Sequence, residues 1–325
     1  MTEVSHDEPA TIERWGLWSF SLPWHPRGRR EGVLVGLATG GQVLRFGEAS
    51  PHPDVHHTTA EGVADELSRW LTLPPGSGSL RGLSPAARFG LESALAHVAE
   101  PVTVEINGLA RTTDEALMLA GQGYSTIKIK VGDNATADAR RVQEVREALP
   151  TLRLRLDANR RYSKRNAIAF CNAVCDLNIE YIEEPTAEPG DLPEVAAATT
   201  LGIALDESTR EAHLDALLPH AKAVIIKPSA LGRTAALDLA GRARQAGLAA
   251  VFTSCFESDV GLTAIGQLTV QAGTPGFAAG LGTGAALDGD LLLRPLVPKL
   301  GLLSLPSATF TEDLNWDFLT PIATS

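Results

Sequence analysis

From about residue 101 onward, short apolar runs rich in β-branched residues alternate with helical stretches rich in Ala and Leu. The runs recur about every 20 to 30 residues, which is the spacing of βα units. Runs this apolar are typical of parallel strands that are buried on both faces. About seven or eight such units in series favour an α/β barrel over an open sheet. The runs are STIKIKV, LRLRLDAN, IEYIEEP, GIALDES, AVIIKPS, AAVFTSC and FAAGLGTG, and predicted helices between them include 138–148, 166–177 and 233–246.

The first hundred residues have a different pattern. Residues 14–46 alternate apolar and polar side chains around SLPWHPRGRREG, which predicts antiparallel strands joined by an exposed loop. Helices are predicted at 59–73 and 84–99, and the second opens with Ser84 as its cap and Pro85 at its first position. We therefore expect an α+β domain over residues 1–100 and a barrel domain over residues 101–299.

Composition and charge narrow the class of protein. The chain has 325 residues, 44% of them hydrophobic and 21% charged, which suffices for a large core. Its net charge of −11 argues against nucleic-acid binding. The sequence has neither an apolar run of about 18 residues nor a signal-peptide pattern, so no membrane partner is expected. Three cysteines (Cys171, Cys175 and Cys255) make no disulfide framework, which favours a reducing cytoplasm.

The run STIKIKV raises the question of where its two lysines point. Strand side chains alternate, so Ile127, Ile129 and Val131 share one face while Lys128 and Lys130 share the other. On a half-buried strand the lysine face would be solvated, and this run alone favours that interpretation. Inside a barrel, two neighbouring ammonium groups would instead need anions close by.

The ends of the successive strands supply those anions. In barrels of this type the active site lies at the C-terminal ends of the strands. After the two lysines, these ends carry Asp157, Glu183 with Glu184, Asp206 with Glu207, Lys227, Ser254 and Gly282. Acidic groups from three neighbouring strands provide oxygen ligands for a hard divalent cation, with Mg²⁺ favoured. Lys128 and Lys130 are therefore expected to face carboxylates in the barrel mouth rather than solvent.

These motifs resemble the enolase superfamily, in its muconate-lactonizing-enzyme-like branch. The resemblance rests on IKIKVG, RLDANRRYS, IEEP, ALDES, VIIKPS and TSCFESDVGL, and it covers about residues 104–284. It implies a (β/α)7β TIM-like barrel with an N-terminal α+β capping domain, which C-terminal residues 300–325 would complete. It also implies an enzyme with Mg²⁺ as its cofactor, for which Mn²⁺ could substitute.

The resemblance also assigns roles to individual residues. The implied metal ligands are Asp157, Glu183 and Asp206, with Glu183 preferred to Glu184 because the family's ligand lies two positions before the proline. Lys130 would be the general base, Lys128 would contact the substrate carboxylate and favour the neutral form of Lys130, and Lys227 would face the other side of the substrate. The residues expected to support this set are Asn159, Glu184 and Glu207, the two glutamates by pairing with lysines.

Within the branch, the short barrel and the series DES, IIKPS and FES resemble members that dehydrate 2-succinyl-6-hydroxy-2,4-cyclohexadiene-1-carboxylate to o-succinylbenzoate in menaquinone biosynthesis. Racemisation of N-succinyl or other N-acylamino acids stays open, because Lys130 and Lys227 could alternate as acid and base. Dipeptide epimerisation is less favoured, because Asp288 and Asp290 come too late in the last strand region. A mandelate-racemase-like dyad is set aside because no histidine follows His220. A non-catalytic ligand-binding barrel is disfavoured because every expected catalytic position is filled.

Substrate contacts are the least specific part of the pattern. Ser254 and Gly282 are expected beside the substrate, and the loop PWHPRGRREG occupies the place of a mobile capping loop. Of its Arg27, Arg29 and Arg30, Arg29 is our candidate for the succinyl carboxylate. Two departures, VTVEINGLA in place of an Asn-Ala-Thr start and a short capping loop, concern substrate choice rather than metal binding. We expect a small-molecule carboxylate as the partner and a monomer or small homo-oligomer.

Overall fold

The alternating pattern of the N-terminal region forms a four-stranded antiparallel sheet with the strand order β13-β1-β2-β3. The computed structural model describes residues 12–41, 43–74, 78–96, 100–307 and 312–325, so positions 97–99 of the second predicted helix lie outside the described residues. The last strand of the chain pairs with the first, since Phe20 lies opposite Leu319 and Gly16 opposite Thr324. The four strands are β1 (Ile12–Trp24), β2 (Gly28–Thr39), β3 (Arg45–Ala49) and β13 (Leu319–Thr324).

Two helices pack against this sheet, α1 (Ala60–Leu71) and α2 (Pro85–Leu95). The predicted start of the second helix is confirmed, because the Ser84 side chain accepts a hydrogen bond from the Ala87 N–H and Pro85 is the first helical residue. The sheet and α2 approach closely at two glycines: a Cβ on Gly47 would overlap the carbonyl oxygen of Gly90. Small residues at this crossing therefore set the distance between the two layers.

The apolar runs of the second region form a seven-stranded parallel sheet with the order β11-β10-β9-β8-β7-β6-β5. Residues 278–281 close this sheet into a barrel: Ala279 exchanges backbone hydrogen bonds with Glu105 and Asn107, and Gly280 with Phe252 and Ser254. The predicted barrel with an N-terminal α+β domain is confirmed. Its strands are β5 (Gly108–Ala110), β6 (Thr126–Lys130), β7 (Arg153–Asp157), β8 (Ile179–Glu183), β9 (Ile203–Leu205), β10 (Ala223–Ile226) and β11 (Ala249–Phe252).

Helices follow the barrel strands and cover their outer face, where the main hydrophobic core lies. Cys171 is buried in this core, and all three cysteines are free thiols. None of the helices in the described part of the chain has the length and apolarity needed to cross a bilayer. The helices are α3 (Thr113–Gly121), α4 (Ala135–Ala148), α5 (Lys164–Val174), α6 (Leu192–Ala198), α7 (Leu214–Leu217), α8 (Pro228–Leu231), α9 (Arg233–Gln245) and α10 (Asp259–Ala272).

A small antiparallel ribbon joins the chain segments that flank the barrel. Strand β4 (Val102–Glu105) pairs with β12 (Leu302–Leu305), so Leu302 lies opposite Glu105. The C-terminal segment therefore pairs first with the entry to the barrel and then, through β13, with the N-terminal sheet. The domain boundaries at residues 100 and 299 stay a prediction.

Candidate active site

The charged residues predicted at the strand ends lie side by side at one end of the barrel. In the parallel register, Lys130 of β6 is the partner of Asp157 of β7, which in turn is the partner of Glu183 of β8. Asp206 directly follows β9, and Lys227 directly follows β10. Because these five strands are neighbours in the sheet, their C-terminal ends bring the five side chains to one place.

Both lysines of β6 point into the barrel. Ile127 and Ile129 are buried in the core on the opposite face of the strand, and Lys128 and Lys130 keep only 15% and 28% of their side-chain surface exposed. The Nζ atom of Lys128 lies 2.8 Å from Oδ2 of Asp157 and 2.5 Å from Oε2 of Glu183. Lys130 contacts the same Asp157 oxygen at 2.6 Å. As expected, both lysines face carboxylates rather than solvent, and they share one oxygen of the buried Asp157.

The second lysine–carboxylate pair lies across the barrel mouth. Lys227 Nζ is 2.6 Å from Oδ2 of Asp206, whose side chain is 3% exposed. The other oxygen of Asp206, Oδ1, is buried and finds no hydrogen-bond partner among the described residues. An acceptor left in this state is costly unless a cation or another donor reaches it.

Asn159 and Glu207 lie between the two pairs. The Oδ1 atom of Asn159 accepts a hydrogen bond from Lys130 at 2.7 Å, and its Nδ2 donates to Glu207 Oε1 at 3.4 Å. Asn159 also donates its backbone N–H to Oδ1 of Asp157. Its backbone has a φ of 44°, a left-handed conformation that Asn adopts more readily than most residues. Asn159 thus orients both Lys130 and Asp157. Glu207 is hydrogen-bonded to Asn159 and, through its charge, also acts on the pKa of Lys227.

The pKa values of the buried lysines and carboxylates are shifted in different directions, and this limits the role that each group can have. Burial lowers the pKa of Lys128, but Asp157, Glu183 and Asp206 outweigh burial and raise it well above its usual value. Burial likewise lowers the pKa of Lys227, and Asp206 more than compensates, so the net direction is upward. Lys128 and Lys227 are therefore held as cations. Burial and the neighbouring carboxylates raise the pKa of Glu183 to about 7 despite Lys128, whereas Lys128 and Lys130 overcome burial and lower the pKa of Asp157.

Glu184 points away from its neighbour Glu183 and has a different task. Its Oε1 accepts the backbone N–H groups of Asp206 and Ser208 at 2.9 and 2.8 Å. Its Oε2 lies 3.0 Å from the guanidinium of Arg160. Glu184 therefore fixes the backbone that carries Asp206, and its cationic partner is Arg160 rather than a lysine as the sequence suggested.

The carboxylates of Asp157, Glu183 and Asp206 fit a divalent cation, which would take the place of the lysines that now contact them. Across the described ranges, no group of three His, Cys, Asp or Glu side chains forms a ready-made metal site. Lys128 lies between Asp157 and Glu183, and Lys227 holds Asp206. Three buried carboxylates at adjacent strand ends, one with an unpartnered oxygen, are nevertheless the oxygen-rich, anionic environment that Mg²⁺ prefers.

The predicted substrate residues Ser254 and Gly282 line the same cavity as the lysines. Ser254 Oγ is 2.5 Å from Oγ1 of Thr283, so two hydroxyl groups face the cavity together. Sequence reasoning missed six other lining residues. Leu109 lies in β5, and the other five come from the barrel closure or from segments next to the strands: Asn107, Thr253, Phe256, Gly280 and Thr283. The run GLGTG contained a signal for Thr283, since it follows the last barrel strand.

The three arginines of the loop region have separate environments. Arg29 donates hydrogen bonds to the side chain and backbone of Ser21, in a surface pocket that also includes Glu31 and Asp65. The lining of the lysine cavity, as far as the chain is described, does not include Arg29. Arg27 pairs with Asp54 at the surface. Arg30 is 1% exposed and bonds to backbone carbonyls, so it is not available to a substrate.

Comparison with known proteins shows the family to which the chain belongs. Residues 111–309 match the family described as "Enolase C-terminal domain-like". A solved structure of an enolase superfamily member from Roseovarius nubinhibens ISM, complexed with magnesium, is similar with a TM-score of 0.78 and 21% identity, covering 97% of this chain and 99% of that one. The chain belongs to the enolase superfamily, which confirms the resemblance seen in the sequence.

Two relatives with curated names have a more specific description than the superfamily. The o-succinylbenzoate synthase of Yersinia enterocolitica is 35% identical over 272 residues, which cover 78% of this chain and 82% of the relative. The o-succinylbenzoate synthase of Pasteurella multocida is 30% identical, and its alignment covers 96% of this chain and 98% of the relative. The similarity to the Pasteurella multocida synthase thus extends across both the N-terminal sheet and the barrel.

Proposed function

We propose that this protein is an o-succinylbenzoate synthase, a lyase that dehydrates 2-succinyl-6-hydroxy-2,4-cyclohexadiene-1-carboxylate to o-succinylbenzoate in menaquinone biosynthesis. The observation that carries the proposal is the single cavity in which Lys128, Lys130 and Lys227 meet Asp157 and Asp206. The 35% identity to a synthase of that name supports the choice of reaction.

Asp157, Glu183 and Asp206 would hold Mg²⁺, with Mn²⁺ as a substitute. When bound, the ion would supply positive charge to the substrate carboxylate as negative charge develops there. Lys128 and Lys227 would release these carboxylates on metal binding and turn to the substrate. Glu184 and Asn159 keep the ligands in place, since they bond to the backbone of Asp206 and to Asp157 respectively.

Lys130 would remove the proton α to the substrate carboxylate. Its amine must be neutral for this step, and the electron pair of the C–H bond then passes to the carboxylate to give an enediolate. Lys128 and Lys227 would stay charged: their pKa values are raised while they contact the carboxylates, and the anionic substrate would become their partner after metal binding. Two fixed cations on either side of the ring would stabilise the dianionic enediolate as it forms.

The second half of the reaction expels the β-hydroxyl group. The enediolate electrons form the new ring double bond, the C–O bond breaks, and protonated Lys130 returns its proton to the departing hydroxide as water. The amine of Lys130 is thereby regenerated, and the aromatic ring makes the step strongly downhill. Ser254 and Thr283, whose hydroxyls lie 2.5 Å apart, would bind a polar end of the substrate, and Gly282 leaves room for it.

The proposal extends to the substrate class, the binding partners, the cellular location and the oligomeric state. We expect a small-molecule carboxylate as the only class of substrate, and no nucleic-acid or membrane partner. A cytoplasmic location and a monomeric or small homo-oligomeric state complete the proposal.

Racemisation of N-succinylamino acids is the second candidate. It is favoured by one specific observation, namely that Lys130 and Lys227 line the same cavity and could act from opposite sides of a substrate. A racemase needs both lysines to exchange protons, whereas the dehydratase needs only Lys130 to do so.

The two candidates are separated by one pair of assays on the purified protein with Mg²⁺. The first follows the absorbance change as the hydroxycyclohexadiene substrate is converted to the aromatic product. The second follows exchange of the α-proton of N-succinylamino acids in deuterium oxide by NMR. Turnover in the first assay supports the synthase. Exchange without such turnover would move the function to racemisation. If the protein shows neither activity, both candidates are refuted.

A further inference from the structure

One segment of the cavity wall is held from outside the barrel. Residues 253–258 connect β11 to α10, and Thr253, Ser254 and Phe256 of this segment line the cavity. Phe256 has a φ of 63°, a left-handed conformation that a bulky residue adopts only when its surroundings impose it. Two charged side chains of the N-terminal domain hold this segment, Arg30 and Glu48.

Arg30 of the N-terminal sheet binds the carbonyl groups of this segment. Its Nε donates to the carbonyl oxygen of Phe256 at 3.0 Å, and its Nη2 donates to that of Cys255 at 3.2 Å. The remaining donors reach the carbonyl groups of Ser50 and Pro51 at 2.7 and 2.6 Å. One buried guanidinium thus joins the N-terminal domain to the cavity wall through its rigid set of donors.

Glu48 binds the N–H groups of the same segment and of the helix that follows it. Its carboxylate accepts the backbone N–H of Ser258 at 3.0 Å, the hydroxyl of Ser258 at 2.5 Å and the N–H of Gly261 at 3.1 Å. Ser258 is the N-cap of α10, and Gly261 is its third residue. Glu48 therefore satisfies the first turn of a barrel helix from another domain.

Ser50 connects the two charged groups. Its hydroxyl donates to Oε1 of Glu48 at 2.6 Å and accepts from Arg30 at 3.1 Å. Arg30, Glu48 and Ser50 are each at most 1% exposed. The three side chains form one buried clamp on residues 255–261, in which the guanidinium of Arg30 binds the carbonyl groups and the carboxyl group of Glu48 binds the N–H groups.

We propose that Arg30 and Glu48 are positioning residues that fix Ser254 and Phe256 in the cavity wall and thereby set the affinity for the part of the substrate that does not react. The proposal rests on the proposed function, because it concerns the substrate of that site. The reacting groups Lys130 and Lys227 are carried by β6 and the end of β10, and their hydrogen bonds among the described residues go to Asp157, Asn159 and Asp206 rather than to the clamp. Loss of the clamp should therefore raise KM and leave kcat nearly unchanged.

The test compares Arg30→Met with a matched variant, Arg45→Met. Arg45 is also a buried arginine of the N-terminal sheet and also donates to a backbone carbonyl, that of Ala96, but it has no bond to residues 255–261. For Arg30→Met we expect a KM increase of about tenfold or more, the size of a lost hydrogen bond to a charged group. For Arg45→Met we expect an unchanged KM even if the melting temperature falls.

A second readout does not use activity. Cys255 is 3% exposed and lies within the clamped segment, and Cys171 is fully buried in the barrel core. Burial also raises the pKa of the Cys255 thiol to about 11, which slows its alkylation. In Arg30→Met, alkylation of Cys255 by iodoacetamide, mapped by mass spectrometry, should accelerate about tenfold or more while Cys171 stays protected.

The outcomes distinguish the inference from a general loss of stability. Parallel acceleration at Cys255 and Cys171, an unchanged KM in Arg30→Met, or an equal KM increase in Arg45→Met would each overturn it. If Arg30→Met does not fold, Arg30→Lys takes its place, because it keeps the charge but not the paired donors. Its KM and its rate of Cys255 alkylation should lie between the wild-type values and those expected for Arg30→Met. If the wild-type protein shows no turnover of the hydroxycyclohexadiene, the proposed function fails, and the alkylation ratio still tests the clamp.

Discussion

Glu48 is a fully buried carboxyl group, and its replacement by glutamine is predicted to change how the stability of the protein depends on pH. The side chain is 0% exposed. Burial raises its pKa from 4.5 to about 7, although hydrogen bonds from Ser258 and Ser50 oppose that change. Glutamine has the same shape and can accept the Ser258 and Gly261 bonds with its carbonyl oxygen, but it does not titrate.

The size and sign of the effect follow from linkage. A carboxyl group whose pKa is higher in the folded than in the unfolded protein stabilises the fold when it is protonated. Its contribution is fully present below pH 4.5 and is lost as the pH rises through about 7. The difference between 4.5 and about 7 corresponds to about 3 kcal/mol. Wild-type stability relative to Glu48→Gln should therefore fall by about 3 kcal/mol between pH 4.5 and pH 8.

The assay is urea unfolding of both proteins, followed by circular dichroism at several pH values between 5 and 8. Asp259 and Asp290, whose pKa values are also raised by burial, titrate in both proteins. The part of the Asp259 shift that Glu48 causes is lost in the variant and belongs to the predicted difference. Glu188→Gln, at an exposed position, serves as the control and should show a constant difference. A Glu48→Gln difference that stays constant across this range, or that grows in favour of the wild type as pH rises, would refute the reasoning.

Three further predictions concern packing, metal binding and substrate binding. Gly47→Ala should destabilise the protein by about 1–3 kcal/mol in urea unfolding, because its Cβ would overlap the Gly90 carbonyl. The control Gly241→Ala, on an open face of α9, should leave the free energy of unfolding nearly unchanged. Equal losses of stability in the two variants would contradict this account. Asp206→Asn should weaken Mg²⁺ binding by tenfold or more in calorimetry, whereas Asp238→Asn on the surface of α9 should bind as the wild type does. Ser254→Ala should raise KM severalfold with little change in kcat, and a selective fall in kcat would count against a binding role.

The order of charges at the strand ends could be predicted because each charge is attached to a short buried strand. The alternation of β6 fixes Lys128 and Lys130 on one face, and the parallel arrangement brings Asp157 and Asp206 to the same end of the barrel. What the sequence did not specify is which charge contacts which. Lys128 bridges two carboxylates and shares one with Lys130, and that depends on side-chain rotamers inside the barrel.

The loop arginines show where sequence reasoning stopped short. Arg29 and Arg30 are neighbours on β2, so they point to opposite faces of the sheet. Arg30 lies on the face of Gly32 and Leu34. Arg29 lies on the face of Val33 and Val35, which are buried as well, so the alternation alone did not show which arginine is the inward residue. The partners of Arg30, the carbonyl groups of Cys255 and Phe256, lie more than two hundred residues away and could not be predicted from local pattern.

Lys130 as the proton-abstracting base is the central claim, and the turnover of Lys130→Ala tests it most directly. The measurement is the rate of o-succinylbenzoate formation from the hydroxycyclohexadiene substrate at saturating Mg²⁺, for the wild type and the variant. We predict that kcat falls by about 10²-fold to 10⁴-fold, the range expected when a general base is removed, while Mg²⁺ binding is retained. A variant that forms the product at the wild-type rate would contradict the account.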